Sequence, residues 1–421
     1  MQSWKRRRFL LHFILLPSFL SNCATSTSPT TVSITVNVFA AHQDSSVDML
    51  KSIAGEFMKE NPNIRVVFSA PGATYEELMK IKMASNDMPD VFSTHGWAKR
   101  RYGRFLADLR DQPWVNNLSP TIKDDVTDEN GKVYVLPIDQ DKIGLTYNAD
   151  ILHEYGIAVP STYDEFLLAC KTIKDKSHGQ VVPVHIGGAD GWPIGQFFNS
   201  LSTPLLIRPQ QNYKDALLNG TFDWSKYTPL AEKFLQLRQS GYLNEDVLTT
   251  TYTDSVKAFA QGKVAFVFYG TYLITDATKI NPNLHGGLMP IPSIVPGDLP
   301  TFARGERITW GVWKDSPHPA EAKKFVAFYA RREHVARVAE SDKLPPGLNG
   351  VDVNLGDVGT YFQKYSQTPV FPFFDRVYLP SGMFQVLNKN GQHLLAGAIT
   401  PSQFSDHVSD EYKRLKASGS S

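Results

Sequence analysis

The chain has little cysteine, almost no net charge and few of the signatures of known chemistry. Only Cys23 and Cys170 are present, so a disulfide-stapled fold is excluded. Four of the 43 Lys and Arg lie in the first 22 residues, which hold no Asp or Glu. The remaining 39 face 42 acidic residues, a balance of about −3. Such a surface does not call for nucleic acid or an anionic partner. No G-x-S-x-G, H-E-x-x-H, Walker A loop or G-x-G-x-x-G occurs. Gly187-Gly188-Ala189-Asp190-Gly191 is glycine-rich but lacks nucleotide-loop spacing. Asp139-x-Asp141 starts like a calcium loop, yet Ile143 stands where a third oxygen ligand belongs. The eleven His form no ligand pair. No metal and no cofactor is expected.

The longest apolar run, Phe9–Leu20, is too short to span a bilayer comfortably and contains Pro17. Lys5, Arg6, Arg7 and Arg8 precede it, and Leu20-Ser21-Asn22-Cys23 follows. That order reads as a secretory signal peptide over residues 1–22. Cys23 then opens a Thr/Ser-rich tether, residues 23–31, and resembles the acylated first residue of a bacterial lipoprotein. Asn22 departs from the small residue usual before such a cysteine, which leaves an ordinary cleaved signal as the alternative. Removing 22 residues from 421 leaves 399, a length that suits two domains.

Val32, Ile34, Val36 and Val38 alternate with polar residues, which predicts a strand. Leu50, Ile53 and Phe57 keep helical spacing until Asn61-Pro62. Ile64–Phe68, Tyr75–Met83 and Pro89–Ser93 continue a β-α-β-α-β opening. Alternation of this kind implies a mostly parallel sheet, with ligands bound beyond the carboxyl ends of its strands. Those ends are Phe39–His42, Ser69–Gly72 and Thr94–Trp97. A second block follows the strands predicted at Lys132–Pro137 and Ile143–Tyr147. Its helices open at Thr162-Tyr163-Asp164-Glu165, Thr228-Pro229 and Thr400-Pro401-Ser402-Gln403. Cys170 shares a helical face with Phe166 and Ile173 and reads as a buried small hydrophobe.

Several aromatic residues are expected in loops, where a core role is less automatic. They are Trp97, Trp192, Tyr269, Tyr272, Trp310, Phe373, Phe374 and Phe384. Flat rings stack on the apolar faces of sugars, while carboxylates such as Asp139, Asp141 and Asp375 take hydroxyls. Core or hinge packing is the competing reading for each ring. Asp139 and Asp141 also invite comparison with a glycosidase pair, but nothing in the sequence sets the separation or the raised pKa which that chemistry needs.

Four stretches carry a family resemblance: Gly131–Pro137 running on to Leu145–Leu152, Pro160–Phe166, Phe259–Phe266 ending in Gly270-Thr271-Tyr272, and Pro317–Phe325. In order and spacing they resemble the extracellular solute-binding proteins of ABC importers, in the carbohydrate-binding group that includes maltose-binding protein. Tyr163 and Tyr272 stand where that family has Trp. The resemblance implies a two-lobed periplasmic-binding-protein-like α/β fold of type II. One lobe would comprise 32–140 plus 305–345, and the other 141–304 plus 346–421. Crossings would fall near Gln140–Ile143, Arg304–Arg307 and Pro345–Gly350. It further implies a sugar in the interlobe cleft, with Tyr272 as a stacking ring, Trp192 and Phe384 as further rings, and Asp139 and Asp141 at the hinge mouth. Trp97, Tyr269, Trp310 and Asp375 join the candidates by position. The implied partners are a carbohydrate and the importer's permease subunits, for a monomer held outside the cytoplasmic membrane. A polyamine or metal-chelate receptor, and a secreted carbohydrate-active enzyme, remain the alternatives.

Overall fold

The computed structural model describes residues 31–40 and 45–418. The expected signal peptide, Cys23, residues 24–30 of the expected tether, and Ala41-His42 lie outside the described residues. Among the described residues the strands are β1 (Val32–Asn37), β2 (Ile64–Ser69), β3 (Val91–Phe92), β4 (Leu136–Pro137), β5 (Gln140–Ile143), β6 (Leu145–Asn148), β7 (Val182–Val184), β8 (Val264–Val267), β9 (Gly286–Met289), β10 (Phe302–Glu306), β11 (Thr309–Val312) and β12 (Val370–Pro372). They form one sheet in the order β2-β1-β3-β11-β4 and another in the order β7-β8-β6-β9. A small third sheet, β12-β10-β5, lies between these two along the chain's crossings.

The two α/β lobes are therefore present, but their strand directions are mixed, which corrects the mostly parallel expectation. The opening β-α-β-α-β does pair in parallel, with Val32 opposite Ile64 and Val36 opposite Val91. β11 runs antiparallel to both β3 and β4, and β6 runs antiparallel to both β8 and β9. The physical reason is connectivity. β4, β6 and β11 adjoin the passages between lobes, so their direction is set by travel to the other lobe and not by a right-handed β-α-β turn.

Each lobe has its own apolar core. One gathers Ile34, Val36, Phe57, Phe92, Trp310, Phe325 and Tyr329. The other gathers Phe166, Phe197, Phe198, Phe234, Phe268 and Phe404. The helix Tyr163–Lys176 starts where Thr162 and Glu165 form a reciprocal capping box, and it buries Phe166, Cys170 and Ile173. Thr400 and Gln403 cap the helix Pro401–Ala417 in the same way.

Three passages join the lobes, and backbone hydrogen bonds stitch them side by side. The Ile138 N–H donates to the Ile308 carbonyl at 2.8 Å, Gln140 N–H to Pro345 at 3.0 Å, and Gly347 N–H to Ile138 at 2.8 Å. β5 and β10 run antiparallel, with Asp141 opposite Gly305. At Gly347 a Cβ would overlap the backbone of Pro137, so only glycine lets the third passage lie this close.

The aromatic candidates sit largely in regular elements, not in loops. Trp192 opens the helix Trp192–Leu206, and Tyr272 opens the helix Tyr272–Ile280. Asp375 lies in the helix Phe374–Tyr378, and Phe384 in the helix Met383–Leu395. Trp310 lies in β11, fully buried, edge-on to Phe68, Phe325 and Tyr329. Replacing this ring by alanine opens a large cavity. Trp310→Ala is expected to lower unfolding free energy by about 3–5 kcal/mol, read from urea denaturation.

Candidate functional site

The C-terminal lobe presents a cluster of four rings beside the crossings. Trp192 and Tyr269 have centroids 5.2 Å apart, Trp192 and Tyr252 5.5 Å, Tyr252 and Tyr272 5.9 Å, and Tyr269 and Tyr272 6.4 Å. Tyr269 is the buried centre, and its hydroxyl accepts the Gly187 N–H at 3.1 Å. Trp192, Tyr252 and Tyr272 are only half-buried around it. Tyr269 thus supports the wall while the other three form its faces. Phe384 is half-buried where its helix packs on the helix Trp192–Leu206, and a Cβ at Gly195 would press on it and on Asn388.

The N-terminal lobe answers with the loop after β3. Phe39, just past β1, stacks on His95 with centroids 3.7 Å apart and planes 15° from parallel. His95 has a φ of +45°, a left-handed conformation rare outside glycine. Burial pushes its imidazole well below the usual range, and Arg376 and Arg307 add to that, so it is neutral at physiological pH. Trp97 is buried beneath the Arg101 guanidinium, whose centre lies 4.1 Å from the ring. Thr309 anchors the loop, its hydroxyl accepting the Thr94 N–H at 2.7 Å. Glu306 accepts from the Ala98 N–H and the Thr94 hydroxyl, each at 3.3 Å. Burial pushes the Glu306 carboxyl up to about 7, with Asp125 contributing.

Between the walls lie the carboxylates. Asp139 is fully buried, and one oxygen accepts the Ile308 N–H at 2.8 Å. Burial raises its pKa well above the ordinary value, and the neighbouring Asp342 carboxyl raises it further. Two buried carboxyls side by side cannot both ionise cheaply, which favours the protonated form of Asp139. Asp139 thus bonds to the passage through Arg307 and Ile308 at the hinge. Asp141 is also buried, with Arg307 4.0 Å from an oxygen that has no hydrogen-bond partner among the described residues. Burial raises its pKa, and Arg307 and Arg376 hold it back. The Arg307 guanidinium also lies 5.9 Å from the Tyr272 ring, which ties the carboxylates to the aromatic wall. Asp375 is buried with one unpartnered oxygen, and its backbone N–H donates to Asn199 at 3.0 Å.

Trp192, Tyr269, Tyr272 and Asp141 are thus brought together at the crossings. Trp97 and Asp375 face the same seam farther along it, and Trp310 belongs to the lobe core behind it. Phe39, His95, Arg101, Tyr252, Glu306, Arg307 and Arg376 were not among the expected residues. His95 lies in the strand end Thr94–Trp97 and Arg376 beside Asp375, so proximity in sequence offered a signal for both. Among the described residues no group of three or more His, Cys, Asp and Glu is arranged to hold a metal.

Two lobes on a stitched hinge, with rings on one wall and arginines and carboxylates along the seam, define a receptor that closes on a polar ligand. The chain belongs to the bacterial extracellular solute-binding proteins, whose family model matches residues 43–336. It is 42% identical over 414 residues to the melibiose/raffinose/stachyose-binding protein MelE of Bacillus subtilis strain 168, covering 98% of this chain and 97% of that one. A sugar transporter of Bacillus licheniformis, solved in complex with stachyose, is 44% identical with a TM-score of 0.85, covering 91% of this chain and 100% of the other. A binding protein of Bacillus subtilis solved in an open conformation is 41% identical with a TM-score of 0.86, covering 93% and 99%.

Glu306 provides a test of the electrostatics. Its folded pKa, about 7, lies above its ordinary 4.5, so the folded state holds this proton more tightly. Stability from this group is full below about pH 4.5 and declines as pH rises toward 7. Glu306→Gln should remove that decline and raise stability at pH 8 by about 1–3 kcal/mol relative to the parent. Denaturant titrations at pH 5 and pH 8 measure it, and an equal decline in both proteins would refute the assignment.

Proposed function

We propose that this chain captures an oligosaccharide of the melibiose, raffinose and stachyose series between its lobes and delivers it to the permease of an ABC importer. The observation that carries the reading is the half-buried ring wall of Trp192, Tyr252 and Tyr272 opposite a seam of arginines and carboxylates. Rings take the apolar faces of pyranoses by stacking. Asp141, Asp375 and the neutral His95 offer hydrogen bonds to hydroxyls. The full-length likeness to receptors of this sugar series supports the choice of ligand. In this reading Phe384 and Trp97 flank the ligand, Tyr269 backs the wall, and Asp139 governs the hinge. The lobes comprise 32–140 plus 305–345 and 141–304 plus 346–421.

Closure follows from differential affinity. A ligand touching both walls binds the closed state more tightly and shifts the population toward it. The receptor works as a monomer and performs no turnover. Family membership puts it outside the cytoplasmic membrane, and acylation at Cys23 holds it there near its importer.

Thermal unfolding in the presence of melibiose, raffinose and stachyose should rise with sugar concentration, and chromatography should recover each sugar intact. Cleaved products would favour an enzyme. Tyr272→Ala should weaken binding by about thirtyfold, near 2 kcal/mol, while the unliganded melting temperature changes little. For the anchor, mass spectrometry of membrane-extracted protein should find a mature chain starting at acylated Cys23. A free thiol there, or a start elsewhere, would overturn that part.

A further inference from the structure

Arg101 is held rigidly by its own lobe. Its guanidinium lies flat on Trp97, and one terminal nitrogen pairs with Glu76 of the helix Tyr75–Ser85. Its side chain is 4% exposed. The Nε–H nevertheless points out of the lobe and donates to the Ser381 hydroxyl at 2.8 Å. Ser381 belongs to the opposite lobe, in the turn between the helices Phe374–Tyr378 and Met383–Leu395. Burial raises the Asp375 carboxyl nearby above its ordinary range, and Arg376 and Arg101 partly offset that. A second side chain crosses in the reverse direction. Arg376 reaches the N-terminal lobe at Gly96, where φ is +87° and a Cβ would overlap the guanidinium.

We propose that Arg101 is an affinity-setting latch: it holds the closed state through Ser381 and reads no part of the sugar. The proposal rests on the sugar-receptor reading for its ligand titrations alone. Glu76 gives the design its reversibility. When the lobes part, Arg101 keeps its salt bridge and its ring, exchanging only Ser381 for water. A guanidinium already immobilised loses little side-chain freedom on closing, so the interlobe hydrogen bond is gained at small entropic cost. A latch and a ligand contact differ in what their removal does. A latch changes the closed fraction, which multiplies every ligand's apparent dissociation constant by one factor. A contact changes the ratios between ligands.

Ser381→Ala tests this, because it leaves the Arg101–Glu76 pair and the Trp97 stack in place. Calorimetric titration of melibiose, raffinose and stachyose should show all three weakened by a common factor of about three to ten, carried by faster dissociation in stopped-flow fluorescence. Arg101→Lys, which keeps charge but loses the planar fork, should show the same uniform loss. A change in the ratios among the sugars would mean a ligand contact and overturn the latch, as would unchanged constants. If the parent protein binds none of the three, the sugar reading fails separately. The latch then stands or falls on small-angle scattering of the unliganded proteins. A larger radius of gyration in Ser381→Ala supports it, and equal radii overturn it.

Discussion

Asp139 touches all three passages of the chain between the lobes, and the rest of the structure is hung from that contact. Its carboxylate takes the Ile308 N–H, its carbonyl takes the Arg307 N–H at 3.4 Å, and its backbone bridges to Pro346. Around it the backbone N–H groups of Ile138, Gln140 and Gly347 donate across the passages. A hinge made of one strand would bend in any direction. Three strands bonded side by side flex easily only about an axis across them, so closing brings the same residues together each time. Two walls built on separate cores can act as one site only under this constraint.

Burying Asp139, Asp342 and Asp141 near one arginine is expensive by the ordinary accounting of desolvation. Apolar residues of similar volume would pack the hinge more stably. Carboxyls accept backbone N–H groups that an apolar side chain would leave unsatisfied, and they need no tight interdigitation that bending would destroy. The arrangement favours a defined, repeatable joint over maximal stability. The same electrostatics reach into the site, where burial first and then Arg376 and Arg307 lower the His95 imidazole, and where burial raises Asp141 while Arg307 and Arg376 hold it back. A neutral imidazole supplies both a donor and an acceptor for hydroxyls.

The lobed architecture was legible because it rests on local signals. The opening alternation of strand and helix, the capping boxes at Thr162 and Thr400, and the ordered family stretches each report on neighbouring residues. Strand direction was less legible, because it depends on where the chain crosses between lobes. Among candidate residues, Tyr272 and Trp192 lie at helix starts beside the crossings. Trp310 shows the limit. A ring just past a crossing looks alike in sequence whether its strand is buried on one face or on both, and all four residues of β11 are buried. Arg101 was illegible for another reason. Its partners Glu76 and Ser381 stand 25 and 280 positions away, and no periodicity encodes such a meeting.

The polar character of the seam follows from what a receptor must do twice in each cycle. An apolar interface between lobes would gain free energy in proportion to area and could hold the empty protein shut. A closed empty receptor cannot admit ligand, and its apparent affinity would fall with the fraction still open. Hydrogen bonds and ion pairs behave differently, since water replaces them when the lobes part and their net contribution is small. Arg101 with Ser381, and Arg304 with Asp125 at 2.5 Å, are contacts of that kind. Because water replaces such contacts when the lobes part, a ligand's modest preference for the closed state suffices to shift the population. The wall of Trp192, Tyr252 and Tyr272 stays within one lobe for the same reason: a stacking surface that must meet a sugar gains nothing by meeting the opposite wall first.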